Sequence, residues 1–169
     1  MNNLKGIEKL EKVINNFLVP FGLTGSFDTD FSYYYGEDKV TFSLIIPKYA
    51  NQYFQEFVNS IGADIEVDIF LVSLLHEVGH SETYDDLDDM EIAYSDDIKA
   101  EIREELFAGV TEDRKKQLYF KYFNLPDERA ATEWAIEYLK ANAVQITLDW
   151  LIISDAIVDF YKTNLIDFN

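Results

Sequence analysis

The stretch that most constrains this 169-residue chain is Asp64 to His80. Ile65, Ile69, Val72 and His76 recur at three- and four-residue steps, the spacing of one helical stripe. Phe70, Leu71, Leu74, Leu75 and Val78 make the other sides apolar as well. A helix that is apolar nearly all round has to be buried, so the rest of the chain must supply a shell for it. Yet this helix ends in polar groups, His76-Glu77-Val78-Gly79-His80. Two histidines at the end of a buried helix need partners, and a metal ion can serve both.

The spacing fits that role. On an α-helix, residues i and i+4 differ by ~40° in direction and ~6 Å in height. Two imidazoles placed so can point at one ion, while the intervening Glu77 reaches a water beside it without being a ligand. H-E-x-x-H is the pattern of zinc peptidases, with the glutamate as general base. The chain has only 2 histidines and both fall in this motif, which makes an accidental match less credible. Gly79 costs about 1 kcal/mol against alanine in a helix interior. Either another backbone approaches there or the helix is ending.

If zinc is held, composition restricts the third ligand. A catalytic zinc commonly takes three protein ligands. The chain has no cysteine and no further histidine, so the third must be an acid. Glu101, Glu104, Glu105, Glu128, Glu133 and Glu137 follow the motif. The first three sit on a helix with a charged, solvated face. Glu128, Ala131 and Ala135 share one helical face with Thr132 beside them. A long acid above small alanines suits close packing on a second helix, which favours Glu128 over Glu133 without excluding the latter.

The chain in order reads as α+β, a single mostly helical domain over 1–169 with a small antiparallel sheet packed on the motif helix. Leu4, Ile7, Leu10, Ile14, Phe17 and Leu18 predict an amphipathic helix over 3–18, ended by Pro20 and Gly22. Residues 26–35 and 39–46 flank Gly36-Glu37-Asp38 and predict a β-hairpin, with Tyr33, Tyr34 and Tyr35 along the sheet and its rim. A short helix over 50–61 turns Tyr53, Phe54, Phe57 and Val58 inward. After His80 the acidic run Glu82 to Glu91 reads as a solvated loop reaching Ser95; it lacks the pattern of an EF-hand. Helices are expected over 95–108, 111–123, about 126–142 and 144–165.

The formal net charge is −18. Such a field repels phosphates, so direct nucleic acid binding is not expected, and basic proteins or peptides are favoured partners. The N-terminal residues lack the apolar core of a signal peptide. The nearest candidate for a membrane span, Ile146 to Ile157, is broken by Asp149 and Asp155. No membrane association is expected, and the cytoplasm is the expected compartment.

The order of helix, strands, H-E-[apolar]-G-H helix and a later E-x-x-A-x-x-[aromatic]-A helix resembles the ImmA/IrrE-type metallopeptidases, small zincin-like proteins of bacteria, phages and mobile elements. The matching residues are His76, Glu77, Gly79 and His80, then Glu128, Ala131, Trp134 and Ala135. The resemblance implies that His76, His80 and Glu128 bind Zn2+, that Glu77 is the base, and that the substrate is a protein such as a repressor or other regulator. The 47 residues between His80 and Glu128 then include a helical insertion over 95–123. Substrate is expected to lie along an edge strand over 39–46. An oxyanion donor must be tyrosine or arginine, with Arg129, Tyr84 and Tyr94 near the motifs. The rival reading is a non-catalytic acidic interaction protein, a DNA mimic or inhibitor, whose metal site is structural or vestigial.

Overall fold

The computed structural model describes residues 3–28, 30–43, 48–62 and 69–142. Helices dominate, and three short strands form one mixed sheet, an α+β arrangement. The described residues form two compact units, 3–43 and 48–140.

In the first unit, helix α1 (Asn3–Leu18) buries Leu10, Ile14 and Leu18. A 3-10 turn, Val19–Phe21, carries Pro20, and Gly22 closes it at φ 69°, a left-handed conformation that glycine adopts without strain. Strands β1 (Thr24–Phe27), β2 (Ser32–Tyr34) and β3 (Lys39–Phe42) follow. β2 and β3 form the expected hairpin, with Tyr33 opposite Val40. The rest of the sheet corrects the expectation of an antiparallel one. Residues 26–35 are not one strand: β1 stands apart and pairs parallel to β3, giving the order β1-β3-β2. After β1 the Asp28 N–H donates to the Phe42 carbonyl at 2.9 Å, and Thr41 Oγ1 donates to the Asp30 carbonyl at 3.0 Å.

Side chains of α1 cover the outer edge of β1. Asn15 Nδ2 donates to the Gly25 carbonyl at 2.8 Å, and the Gly25 N–H donates to Asn15 Oδ1 at 2.9 Å. The Phe27 N–H donates to Glu11 Oε1 at 2.9 Å. An unpaired strand edge is thereby satisfied without another strand. A Cβ on Gly25 would come within 2.9 Å of Leu18 and 3.0 Å of Ile14, so the helix lies directly on the strand. Asn15→Ala strips both Gly25 backbone groups of their partner. It should destabilise this unit by roughly 1–3 kcal/mol in chemical denaturation, and an unchanged midpoint would refute the bridging role.

Among its described residues the second unit has helices and no strand: α2 (Lys48–Gly62), α3 (Ile69–Thr83), α4 (Asp89–Ala108), α5 (Glu112–Phe123) and α6 (Pro126–Asn142), whose last residues run beyond the unit. Phe70, Leu71, Val72, Leu74, Leu75 and Val78 of α3 are all buried, on several sides of the helix. Phe54 and Phe57 of α2 pack on Phe123 of α5, and Tyr53 stacks on Tyr119 at 5.3 Å.

The acidic run after His80 is not a loop. Helix α3 continues to Thr83, a 3-10 turn spans Tyr84–Asp86, and α4 already begins at Asp89. Asp88 accepts from the N–H groups of Met90 and Glu91, and the Glu91 side chain accepts from the Asp88 N–H in return. Asp89 and Glu91 then lie at the positive end of the helix dipole. Acids in this register start a helix rather than prevent one. The expected 95–123 insertion is part of the unit's core, with Ile102, Leu118 and Phe123 buried. No helix among the described residues is long and apolar enough to cross a membrane. The expected helix over 144–165, the start of the motif stretch at 64–68 and the end of the hairpin at 44–46 lie outside the described residues.

Candidate metal centre

Helices α3 and α6 touch at Gly79. A Cβ there would stand 2.4 Å from the Ala131 carbonyl oxygen and 2.9 Å from its Cα. Of the two roles the sequence left open for this glycine, close approach is the one realised, since α3 runs on past it. Ala131 and Ala135 are fully buried on the facing side of α6. One turn back from the contact on each helix stand His76 and Glu128, three residues before Gly79 and Ala131 respectively. The point of backbone contact therefore sets their separation.

His76 Nε2 lies 3.0 Å from Glu128 Oε2 and 3.1 Å from His80 Nε2, and His80 Nε2 lies 3.6 Å from Glu128 Oε2. Three donor atoms thus converge from two helices. Ligands bound tetrahedrally at ~2.0–2.1 Å are ~3.3–3.4 Å apart, close to the spacings here. Thr132 orients the first imidazole. Its hydroxyl donates to the Glu128 carbonyl at 2.8 Å, so its oxygen accepts from His76 Nδ1 at 2.9 Å. A neutral His76 then carries its proton on Nδ1 and aims the Nε2 lone pair at the Glu128 carboxylate. Phe54 packs edge-on against the same ring at 5.5 Å. His76, His80 and Glu128 form a group that could hold a metal ion, and two imidazole nitrogens with one carboxylate oxygen suit zinc.

The charge distribution agrees. Burial alone would raise the Glu128 pKa, but hydrogen bonds from His76 and His80 and the charge of both rings hold it well below the ordinary value. Burial would lower the His80 pKa, yet Glu128 and the charge of Glu77 raise it. Glu77 is half-buried beside the pair, and its charge also acts on the Tyr122 hydroxyl.

Two residues beside Glu128, Lys99 and Tyr122, are not among those the sequence reading assigns to a site. Lys99 of α4 places its ammonium 2.6 Å from Glu128 Oε1 and also pairs with Asp127. Tyr122 of α5 bonds Glu128, and burial together with that carboxylate raises its pKa well above the ordinary value, so the hydroxyl keeps its proton. A signal for Lys99 was present: it falls on the stripe Ser95–Lys99–Ile102, whose other two members are buried. Tyr122 offers no comparable signal.

The other anticipated residues lie elsewhere. Glu101, Glu104, Glu133 and Glu137 are exposed, and Glu105 pairs with Arg114. Arg129 bonds Glu133 and Asn124 on the surface, and Tyr94 is exposed. Strand β3 cannot receive an extended substrate, because β1 and β2 occupy both of its edges. Compared with protein-family models, curated proteins and solved structures, the chain has no significant match.

Proposed function

We propose that this protein is a zinc-dependent metallopeptidase that hydrolyses a peptide bond in a protein substrate, a basic regulator such as a repressor. The observation that carries the reading is the convergence of His76, His80 and Glu128 at 3.0–3.6 Å, with Glu77 beside them. The resemblance to ImmA/IrrE-type peptidases points the same way.

His76, His80 and Glu128 would hold the ion. Bound zinc supplies a Lewis acid that polarises a carbonyl and makes water nucleophilic near neutral pH. Glu77 takes the proton of the attacking water and returns it to the leaving amine. Tyr122 keeps its proton and donates it to Glu128 in a hydrogen bond, a contact that helps to hold the carboxylate in place. The test is metal content. Protein prepared without added metal should carry about one zinc per chain, and His76→Ala and Glu128→Ala should each lose it. Zinc retained in Glu128→Ala would displace the third ligand, and absence of zinc affinity in every sample would end the enzyme reading.

The exposed acids Glu82, Asp85, Asp86, Asp88, Asp89, Glu91, Asp96 and Asp97 favour a second reading, an acidic interaction protein that mimics DNA toward a basic partner. Such a protein would keep its binding in Glu77→Gln and lose it at high salt.

A further inference from the structure

Lys99 sits where a lysine is costly. Its neighbours one turn away on the inward face of α4, Ser95 and Ile102, are 1% and 2% exposed. An ammonium on such a face needs compensating charge, and α6 provides it. Nζ lies 2.6 Å from Glu128 Oε1 and contacts Asp127 Oδ2. The ring of Tyr122 lies below it, 5.5 Å from Nζ to the centroid.

The two oxygens of Glu128 are thereby divided. Oε2 faces both imidazoles, at 3.0 Å and 3.6 Å, and Oε1 faces the ammonium. A carboxylate with both oxygens free can grip a cation with the pair and use up an additional coordination position. One with an oxygen held by an ammonium offers only the other. We propose that Lys99 is a positioning residue that makes Glu128 a one-oxygen ligand, keeping the remaining coordination positions open for water and substrate. The inference rests on the zinc reading above and goes beyond it by assigning the ligation mode and the residue that imposes it. The ammonium also fixes the carboxylate in direction, since Oε1 is tied to α4 while Thr132 of α6 accepts from the opposing imidazole of His76 on α3.

The experiment compares full-length wild type, Lys99→Met and Lys99→Arg, each loaded with Co(II) in place of zinc. Visible d–d absorption reports coordination number, because four-coordinate Co(II) absorbs more strongly than five-coordinate. Wild type should show the strong band. Lys99→Met, which keeps the stem and loses the charge, should still bind one equivalent with a severalfold weaker band. Lys99→Arg should keep the strong band, since a guanidinium can still hold Oε1. Identical spectra for wild type and Lys99→Met would overturn the proposal and leave Lys99 as an ion pair of the core. A wild type that binds neither Co(II) nor zinc would instead remove the metal reading, a result distinct from a bound ion with an unchanged spectrum. Should Lys99→Met fail to fold, infrared difference spectra of zinc-loaded minus metal-free wild type decide the matter. A wide splitting of the carboxylate stretches supports one-oxygen ligation, and a narrow one overturns it.

Discussion

Glu77→Gln should leave the protein folded and metal-loaded while lowering peptide hydrolysis by about 10²–10⁴-fold, the usual contribution of a positioned general base. The substitution is nearly isosteric and keeps a hydrogen-bonding side chain, so packing of the half-buried residue changes little. His76, His80 and Glu128 keep their mutual distances, because Glu77 is not among the converging donors. What is lost is the ability to take a proton. The check pairs two measurements on one preparation: zinc per chain, and cleavage of a cationic peptide library read by mass spectrometry. Zinc retained with cleavage lost separates the base from the ligands. Equal cleavage by variant and wild type would remove Glu77 from the chemistry. If neither cleaves anything while both bind the same basic partner, the acidic interaction protein becomes the better account.

Gly79→Ala should be the most damaging small substitution in the helical unit. Helix propensity alone favours alanine by about 1 kcal/mol, so a simple helix position would be stabilised. Here the new Cβ meets the Ala131 carbonyl oxygen at 2.4 Å, and the obstacle is backbone rather than a flexible side chain. The helices must move apart, and forced repacking of this kind typically costs about 1–3 kcal/mol. We expect a net loss of stability in denaturant melts, opposite in sign to the propensity effect. The same movement separates His76 from Glu128, since both lie one turn from the contact. Metal affinity should fall by about 10–100-fold, as when the support around metal ligands is lost. A Gly79→Ala protein as stable as wild type, with zinc affinity intact, would show that the α3–α6 approach does not position the ligands.

Much of this arrangement was legible in the chain itself. The amphipathic spacing of Leu10, Ile14 and Leu18, the aromatic face of α2 and the all-round apolar α3 are local periodicities, and those helices lie where the periods place them. Glu128 stood out for the same reason, because Ala131, Thr132 and Ala135 fall on its face of α6 and all four are buried. Charge alone makes the acidic run 82–91 read as a loop, whereas it holds the end of α3, a 3-10 turn and the start of α4. Asp88 and Glu91 form a reciprocal cap, so their register mattered more than their polarity.

By itself, then, the sequence determined most of the described helices, the i, i+4 pair of histidines and, for a bound zinc, an acid as the third ligand type. These follow from residue type and from spacing within one element. Tertiary structure alone decided which acid arrives. Gly79 lets the Ala131 backbone close on α3, and that contact carries Glu128 to His76 while leaving Glu133 in solvent. It also decided that β1 joins β3 in parallel and that Lys99 and Tyr122 complete the centre. Such meetings depend on where separate elements cross, and no periodicity within one of them encodes the crossing point.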